Sequence, residues 1–344
     1  MSKKVFFLGA GFSKSINLRY PLLKELTNNV SQNFEKQILN TYYKFDIFDK
    51  FKNNIEYLLT YLSTDLPWKS EKVKAMNKAL YIEITEKIQK YFLDLELFEQ
   101  TNFTQYTEFA KFIGKPENTI ITLNYDLMAE KLIYSVLDTA YTNVNKNFIG
   151  FYKCPILPIR LRYSREASFG FRSGNADEYG EQLPRILKLH GSINWLWAGM
   201  NPTDQIYCRV GLENIDYHRD LIPYMIPPVL DKNSFYNNNI LKGIWQQAYE
   251  KIAEADEIFI IGFSFPPTDL SLRYLFNSAL ANNQNVNIYV INYDSNNTQS
   301  TYKKIFDDKQ LECNKENNNW KYCGKNGFSR FISDFVTNET QTTV

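Results

Sequence analysis

The chain has 344 residues, 44% hydrophobic and 22% charged, with 24 Tyr and 25 Phe to fill a core; this excludes a disordered chain and predicts one large globular unit carrying insertions. Lysine and arginine number 39 against 38 acidic residues, a formal charge of +1, so the sequence has no broad electrostatic footprint for a nucleic-acid backbone or an anionic membrane.

In chain order, two lysines precede the apolar run Val5 to Leu8, which predicts a buried parallel strand leading into Gly9-Ala10-Gly11-Phe12-Ser13. The run ends at Ala10, too short for a signal-peptide core or a bilayer span, which predicts a cytoplasmic protein. A helix containing Leu22, Leu23 and Leu26 follows. From 31 to about 115, Phe51, Ile55, Leu58, Leu59 and Leu62, then Val73, Met76, Leu80, Ile84, Ile88 and Phe92, recur at helical spacing and predict a helical insertion whose stripes are core. Thr119 to Leu123 reads as a second strand, with a helix over Leu127 to Leu137. The stretch from Gly150 to Pro184 is irregular and holds Arg160, Arg162, Arg165 and Arg172, which suits either a loop over an active site or an assembly surface.

Further strands are predicted at Ile186 to Leu189, Ile258 to Ile261 and Val286 to Ile291, with helices closing near Ala253, over Leu270 to Leu280 and over Thr298 to Phe306. Alternation of strand and helix predicts an α/β fold, a doubly wound Rossmann-like parallel sheet, as one domain over 1–336; the polar tail 337–344 is expected to fray. Cys154, Cys208, Cys313 and Cys323 form no Cys-x-x-Cys pair, so buried or reduced thiols are expected and no metal.

Polar groups recur where these strands end. Gly9 and Gly11 would let backbone N–H groups approach a dinucleotide pyrophosphate at a helix start, although a plain strand-to-helix turn accounts for them equally well, and Lys14 stands where a dehydrogenase fingerprint has its third glycine. Asn124 and Asp126 end the second strand and either orient a ribose or water or, for Asp126, cap the next helix. His190, ahead of Gly191 and Ser192, is a candidate general base, whereas His218 reads as a solvated surface residue. After the fourth strand, Gly262 and Ser264 reach toward phosphate or ribose, while Thr268 or Asp269 caps a helix; Asn292 ends the fifth and meets an adenosine ribose or forms an ordinary turn. At the carboxyl ends of a doubly wound sheet these groups converge on one crevice.

In this order, Gly9-Ala10-Gly11-Phe12-Ser13, Leu123-Asn124-Tyr125-Asp126, Leu189-His190-Gly191-Ser192-Ile193-Asn194-Trp195 and Gly262-Phe263-Ser264-Phe265-Pro266-Pro267-Thr268-Asp269 resemble the sirtuin-like (SIR2-like) domains of bacterial anti-phage defence, over Lys3 to about Phe335. Three departures from sirtuins proper stand out: their zinc-binding cysteine quartet is absent, Leu18-Arg19-Tyr20-Pro21 replaces the phenylalanine-arginine pair, and Leu123 stands in place of glutamine.

The resemblance implies NAD as substrate and an NADase, a hydrolase that cuts the nicotinamide glycosidic bond. On that reading Asn124 positions water or ribose, Asp126 holds the nicotinamide or ribose, and His190 takes a proton. Gly9, Ala10, Gly11, Phe12 and Ser13 cradle pyrophosphate, Arg19 stands in for the missing arginine, and Gly191, Gly262, Ser264 and Asn292 complete the cofactor site. It further implies a gated effector of abortive infection that forms a homo-oligomer or joins a HerA-type ATPase. An NAD-dependent protein deacylase and a non-catalytic nucleotide sensor are the alternatives.

Overall fold

The computed structural model describes residues 2–32, 51, 54–98, 100–137, 148–159, 182–197, 205–209, 222–230, 232, 238–266, 269–283, 285–293, 296–306 and 321–341. In chain order, β1 (Lys4–Leu8) leads into α1 (Ala10–Ile16), α2 (Leu23–Gln32), α3 (Ile55–Ser63), the long α4 (Glu71–Phe98) and α5 (Thr107–Ile113). Then come β2 (Thr119–Thr122), α6 (Met128–Tyr134), the one-turn α7 (Ile149–Tyr152), β3 (Leu157–Ile159), β4 (Arg185–Lys188), β5 (Gly191–Trp197), β6 (Tyr207–Arg209) and β7 (Ile222–Met225). The chain continues through α8 (Asn239–Ala253), β8 (Glu257–Ile261), α9 (Leu270–Leu280), β9 (Asn287–Ile291), α10 (Asn296–Tyr302), α11 (Gly327–Phe331) and α12 (Thr337–Gln341).

The five expected strands pair in parallel in the order β4-β2-β1-β8-β9. From β1 the chain steps outward through β2 to β4, then crosses back to lay β8 and β9 on the other side of β1. The direction of winding therefore reverses between β1 and β8, the place where such sheets bind ligands. Helices cover both faces, so the strands read as continuous apolar runs: Phe6, Phe7, Ile120, Ile121, Ile258, Phe259 and Ile260 are fully buried. Phe259 stacks between Phe6 and Tyr289, with ring centroids 4.9 and 4.7 Å away, which ties together the register of β1, β8 and β9.

Between β1 and β2 the described chain is helical, and Leu58, Leu59, Leu62, Leu80, Ile84, Ile88 and Phe92 are buried along α3 and α4. A second sheet of order β3-β6-β5-β7 lies beyond β4. The sequence did not suggest it, because three of its strands have only three or four residues, too few to display a period. Residues 337–341 continue a π-helical turn at Ile332–Val336 as α12, and Glu339 accepts from Lys4 Nζ at 3.3 Å. The four arginines at 160–172, His218 and Thr268 lie outside the described residues.

Gly262, after β8, has φ +65°, and a Cβ there would sit 2.1 Å from the Phe12 backbone nitrogen, which cannot move aside. Gly262→Ala is expected to destabilise the fold by roughly 3 kcal/mol, read as a lowered urea midpoint at unchanged slope; an unaltered midpoint would contradict this packing.

Candidate functional site

Strand β1 passes into α1 without a loop: Gly9 precedes the helix, and Ala10, Gly11, Phe12 and Ser13 lie in its first turns. Gly9 N–H donates to the Ile261 carbonyl at 2.9 Å, Gly11 N–H to Gly262 at 2.9 Å and Phe12 N–H to Gly9 at 2.9 Å, so these amides are already satisfied inside the protein. The glycines let the β1 and β8 backbones touch; a Cβ on Gly9 would lie 2.4 Å from the Gly262 oxygen. Leu22, which precedes α2, and Leu23, its first residue, are exposed, whereas Leu26 is buried.

Ser13 is buried and turns its hydroxyl into a cluster. Its hydroxyl donates to Asp126 Oδ1 at 2.9 Å and accepts from Asn124 Nδ2 at 3.1 Å, while Asn124 Nδ2 also donates to the Gly9 carbonyl at 2.9 Å. Thr122, the last residue of β2, donates its hydroxyl to the Leu8 carbonyl at 2.8 Å and accepts from Asn124 N–H at 3.0 Å, which fixes the turn that aims both side chains. Asp126 Oδ1 also accepts the Met128 N–H at 3.1 Å. The helix-capping and site readings of Asp126 are therefore compatible. Asn124 Oδ1 and Asp126 Oδ2 accept no hydrogen bond among the described residues, and both side chains line a narrow crevice with Phe12, Thr122 and Glu130.

His190 lies in the tight turn between β4 and β5. Gly191 makes that turn possible: its φ is +76°, and a Cβ would lie 2.1 Å from the Tyr224 oxygen of β7. The turn is tied to the Asn124 segment, because Ile193 N–H donates to the Tyr125 carbonyl at 3.0 Å and the Tyr125 hydroxyl donates to the Ile226 carbonyl. The imidazole stands beside Trp245, ring centroids 6.5 Å apart, and makes no hydrogen bond among the described residues.

The remaining sequence-derived candidates separate. Ser264 is exposed beyond Gly262. Asn292 donates its amide to the Phe263 carbonyl at 2.7 Å, a bond that joins the β8 and β9 ends. Arg19 sits in the exposed turn between α1 and α2, its N–H held by Asn17 Oδ1 at 3.0 Å. Asp269 precedes α9 but makes no side-chain cap bond; it accepts instead from Lys232 Nζ at 2.6 Å.

Burial sets the protonation of the site. Desolvation pushes the His190 imidazole down to about 3, with Asp269 opposing and Lys232 adding to the shift, so the ring is neutral at physiological pH. Desolvation, then the nearby Glu96 carboxylate, push Asp126 up to about 6 against the pull of Lys188, the Met128 N–H and Ser13. Lys188, fully buried at the end of β4, donates to the Asp126 carbonyl at 2.5 Å and pairs with Glu130 of α6 at 3.1 Å. These groups escaped the sequence reading. A lysine inside an apolar strand and a Glu96 four residues beyond Phe92 on a buried stripe were the available signals; Lys232, in a loop, offered none.

Because the native pKa of Asp126 exceeds its ordinary value of 3.8, the stabilisation linked to its proton is complete below about pH 4 and disappears as pH rises through about 6. At neutral pH the buried anion destabilises the fold by roughly 1–3 kcal/mol. Asp126→Asn retains the acceptor for Ser13 and Met128 and is expected to raise Tm at pH 7.5 but not at pH 4. Equal Tm values at both pH values would refute the burden assigned to this carboxylate.

A family model described as a SIR2-like domain matches residues 118–314, which take in Asn124, Asp126, His190 and the whole β8–β9 unit. No curated protein matches the sequence. Among solved structures, a Sir2 homologue in complex with NAD is 13% identical, covering 89% of this chain and 91% of its own, at a TM-score of 0.39. A mutant Sir2 homologue in complex with ADP-ribose is 12% identical, covering 99% and 93%, at a TM-score of 0.44. With more than half of its length matched by the family model, the chain belongs to the SIR2-like domain family.

Proposed function

We propose that the protein is an NAD glycohydrolase, cleaving NAD to nicotinamide and ADP-ribose, and that it serves as a gated effector of anti-phage defence by depleting NAD. The observation that supports this reading best is the Ser13–Asn124–Asp126 cluster at the carboxyl edge of the parallel sheet, with two oxygens left to accept hydrogen bonds and His190 delivered from the adjoining strand. In the reaction, the bond between ribose C1′ and the nicotinamide nitrogen breaks, its electron pair leaving with neutral nicotinamide. A water oxygen bonds to C1′, and the water gives up a proton.

The leaving group is cationic in the substrate, so departure needs no strong acid, and positive charge develops on the ribose ring. Fixed dipoles and a carboxylate stabilise that charge with little reorganisation. Asn124, its amide N–H groups committed to Gly9 and Ser13, presents Oδ1 to a water or ribose hydroxyl. Asp126 lies on the nicotinamide or ribose side. His190, neutral through burial, offers a lone pair to the departing proton, a role worth about 10²- to 10⁴-fold in rate. The glycine segment, with Ser264 and Asn292 at the neighbouring strand ends, flanks the pyrophosphate and adenosine ribose.

Unrestrained activity would empty the host of NAD, so the enzyme is gated by self-assembly or by a partner such as a HerA-type ATPase. The Gly150 to Pro184 stretch and the helices between β1 and β2 are the contact surfaces in this scheme. Light scattering that returns a monomer at every concentration, with full activity from the protein alone, would rule the gating out.

The enzymatic test is nicotinamide release from NAD by the purified protein. Asn124→Ala and His190→Ala are each expected to lower it by about 10²-fold or more. In the wild type, kcat/KM is expected to fall as pH drops through about 6, where Asp126 takes up its proton, with no further limb from His190 between about pH 5 and 8. Unchanged turnover in both variants defeats the assignment. Release that appears only with an acyl-lysine peptide would identify a deacylase, and binding without turnover a sensor.

A further inference from the structure

We propose that Lys188 is a positioning residue whose buried ammonium, bridging the Asp126 carbonyl and the Glu130 carboxylate, fixes the Asp126 turn against the strand that delivers His190 and offsets the negative charge of Glu96. The inference rests on the site assignment above but adds a group outside the substrate crevice. Lys188 and Glu130 are both essentially inaccessible to water, with side-chain exposures of 0% and 1%. A lysine in such a place must meet acceptors, and it has two: the Asp126 carbonyl at 2.5 Å and Glu130 Oε1 at 3.1 Å. Glu130 also accepts the Tyr152 hydroxyl at 3.1 Å, and Tyr152 contacts Asn194 of β5, so the network spans α6, α7, β4 and β5.

Glu96 meets the same turn one residue on, at Leu127. Its side chain is fully buried, accepts from Leu127 N–H at 2.9 Å and from the Tyr20 hydroxyl at 3.1 Å, and pairs with Lys131 at 2.5 Å. The charged groups around Asp126 are thus Glu96, with Lys131 behind it, from α4 and α6, and Lys188 with Glu130 from β4 and α6. Ser13 of α1 supplies a neutral donor. Glu96 pushes the Asp126 carboxyl up and Lys188 pulls it down. Neutralising the two therefore acts in opposite directions on that carboxyl, and the positioning role itself is read in kcat at nearly unchanged KM.

The test compares Lys188→Met, Lys188→Met/Glu130→Gln and Glu96→Gln with the wild type, each checked for folding by circular dichroism. The double variant also neutralises Glu130, so that this carboxylate is not left buried without its lysine, and stands in if the single one does not fold. Loss of Lys188 is expected to lower kcat for nicotinamide release by about 100-fold with KM nearly unchanged, and to move the acid limb of the pH profile upward by roughly one unit. Glu96→Gln should move it downward. Shifts in the same direction, or full kcat without Lys188, overturn the proposal. If the wild type releases no nicotinamide, the glycohydrolase reading fails by itself. The Asp126 carboxyl, titrated by ¹³C NMR and assigned by its loss in Asp126→Asn, then decides the role of Lys188: opposite shifts in the two variants uphold it, and a midpoint indifferent to both refutes it.

Discussion

At the carboxyl edge of the sheet the backbones of Gly9–Phe12 and Gly262 lie against each other, with no space for a Cβ on Gly9 or Gly262. Two backbone hydrogen bonds, from Gly9 to Ile261 and from Gly11 to Gly262, seal the contact. This approach closes the point at which the winding of the sheet reverses. It also sets the first turn of α1, and through it the position of Ser13, which in turn holds Asn124 and Asp126. A side chain forced between these two backbones would therefore displace polar groups several residues away, because buried backbone hydrogen bonds leave costly orphans when broken.

The glycines serve the close approach of two backbones, one of the two uses their spacing allows. A glycine pair after a strand is equally what a phosphate requires and what a second backbone requires, since both demand close approach to the main chain. Here the amides of Gly9, Gly11 and Phe12 are spent within the protein, and the polar surface of the crevice comes from side chains: Asn124 and Asp126 with their neighbours Thr122 and Glu130.

Burial imposes a second constraint, on charge. Desolvation lowers the proton affinity of His190, and the same burial pushes the enclosed Asp126 carboxyl up to about 6. Evolution tolerates such destabilising arrangements chiefly where function demands them. Lys188 and Glu96 act on Asp126 with opposite sign, and their balance decides how much anion the enclosed carboxyl retains.

The sequence by itself determined the five parallel strands, since runs such as Val5 to Leu8 and Ile258 to Ile261 are apolar on both faces and only a strand covered on both sides uses such a run. It likewise determined that α3 and α4 are amphipathic core helices, and it located Asn124, Asp126 and His190 at strand ends. The second sheet was not legible, because three- and four-residue strands carry no period and Gly191 reads as a turn, which it also is. Only the tertiary structure decided that Ser13 faces Asp126 and that Asp269 pairs with Lys232. It alone placed Lys188 beneath the Asp126 turn. Those pairings join residues tens to more than a hundred positions apart, and no local propensity encodes which distant strand end a side chain will meet; packing of the two sheets and the helices between them does.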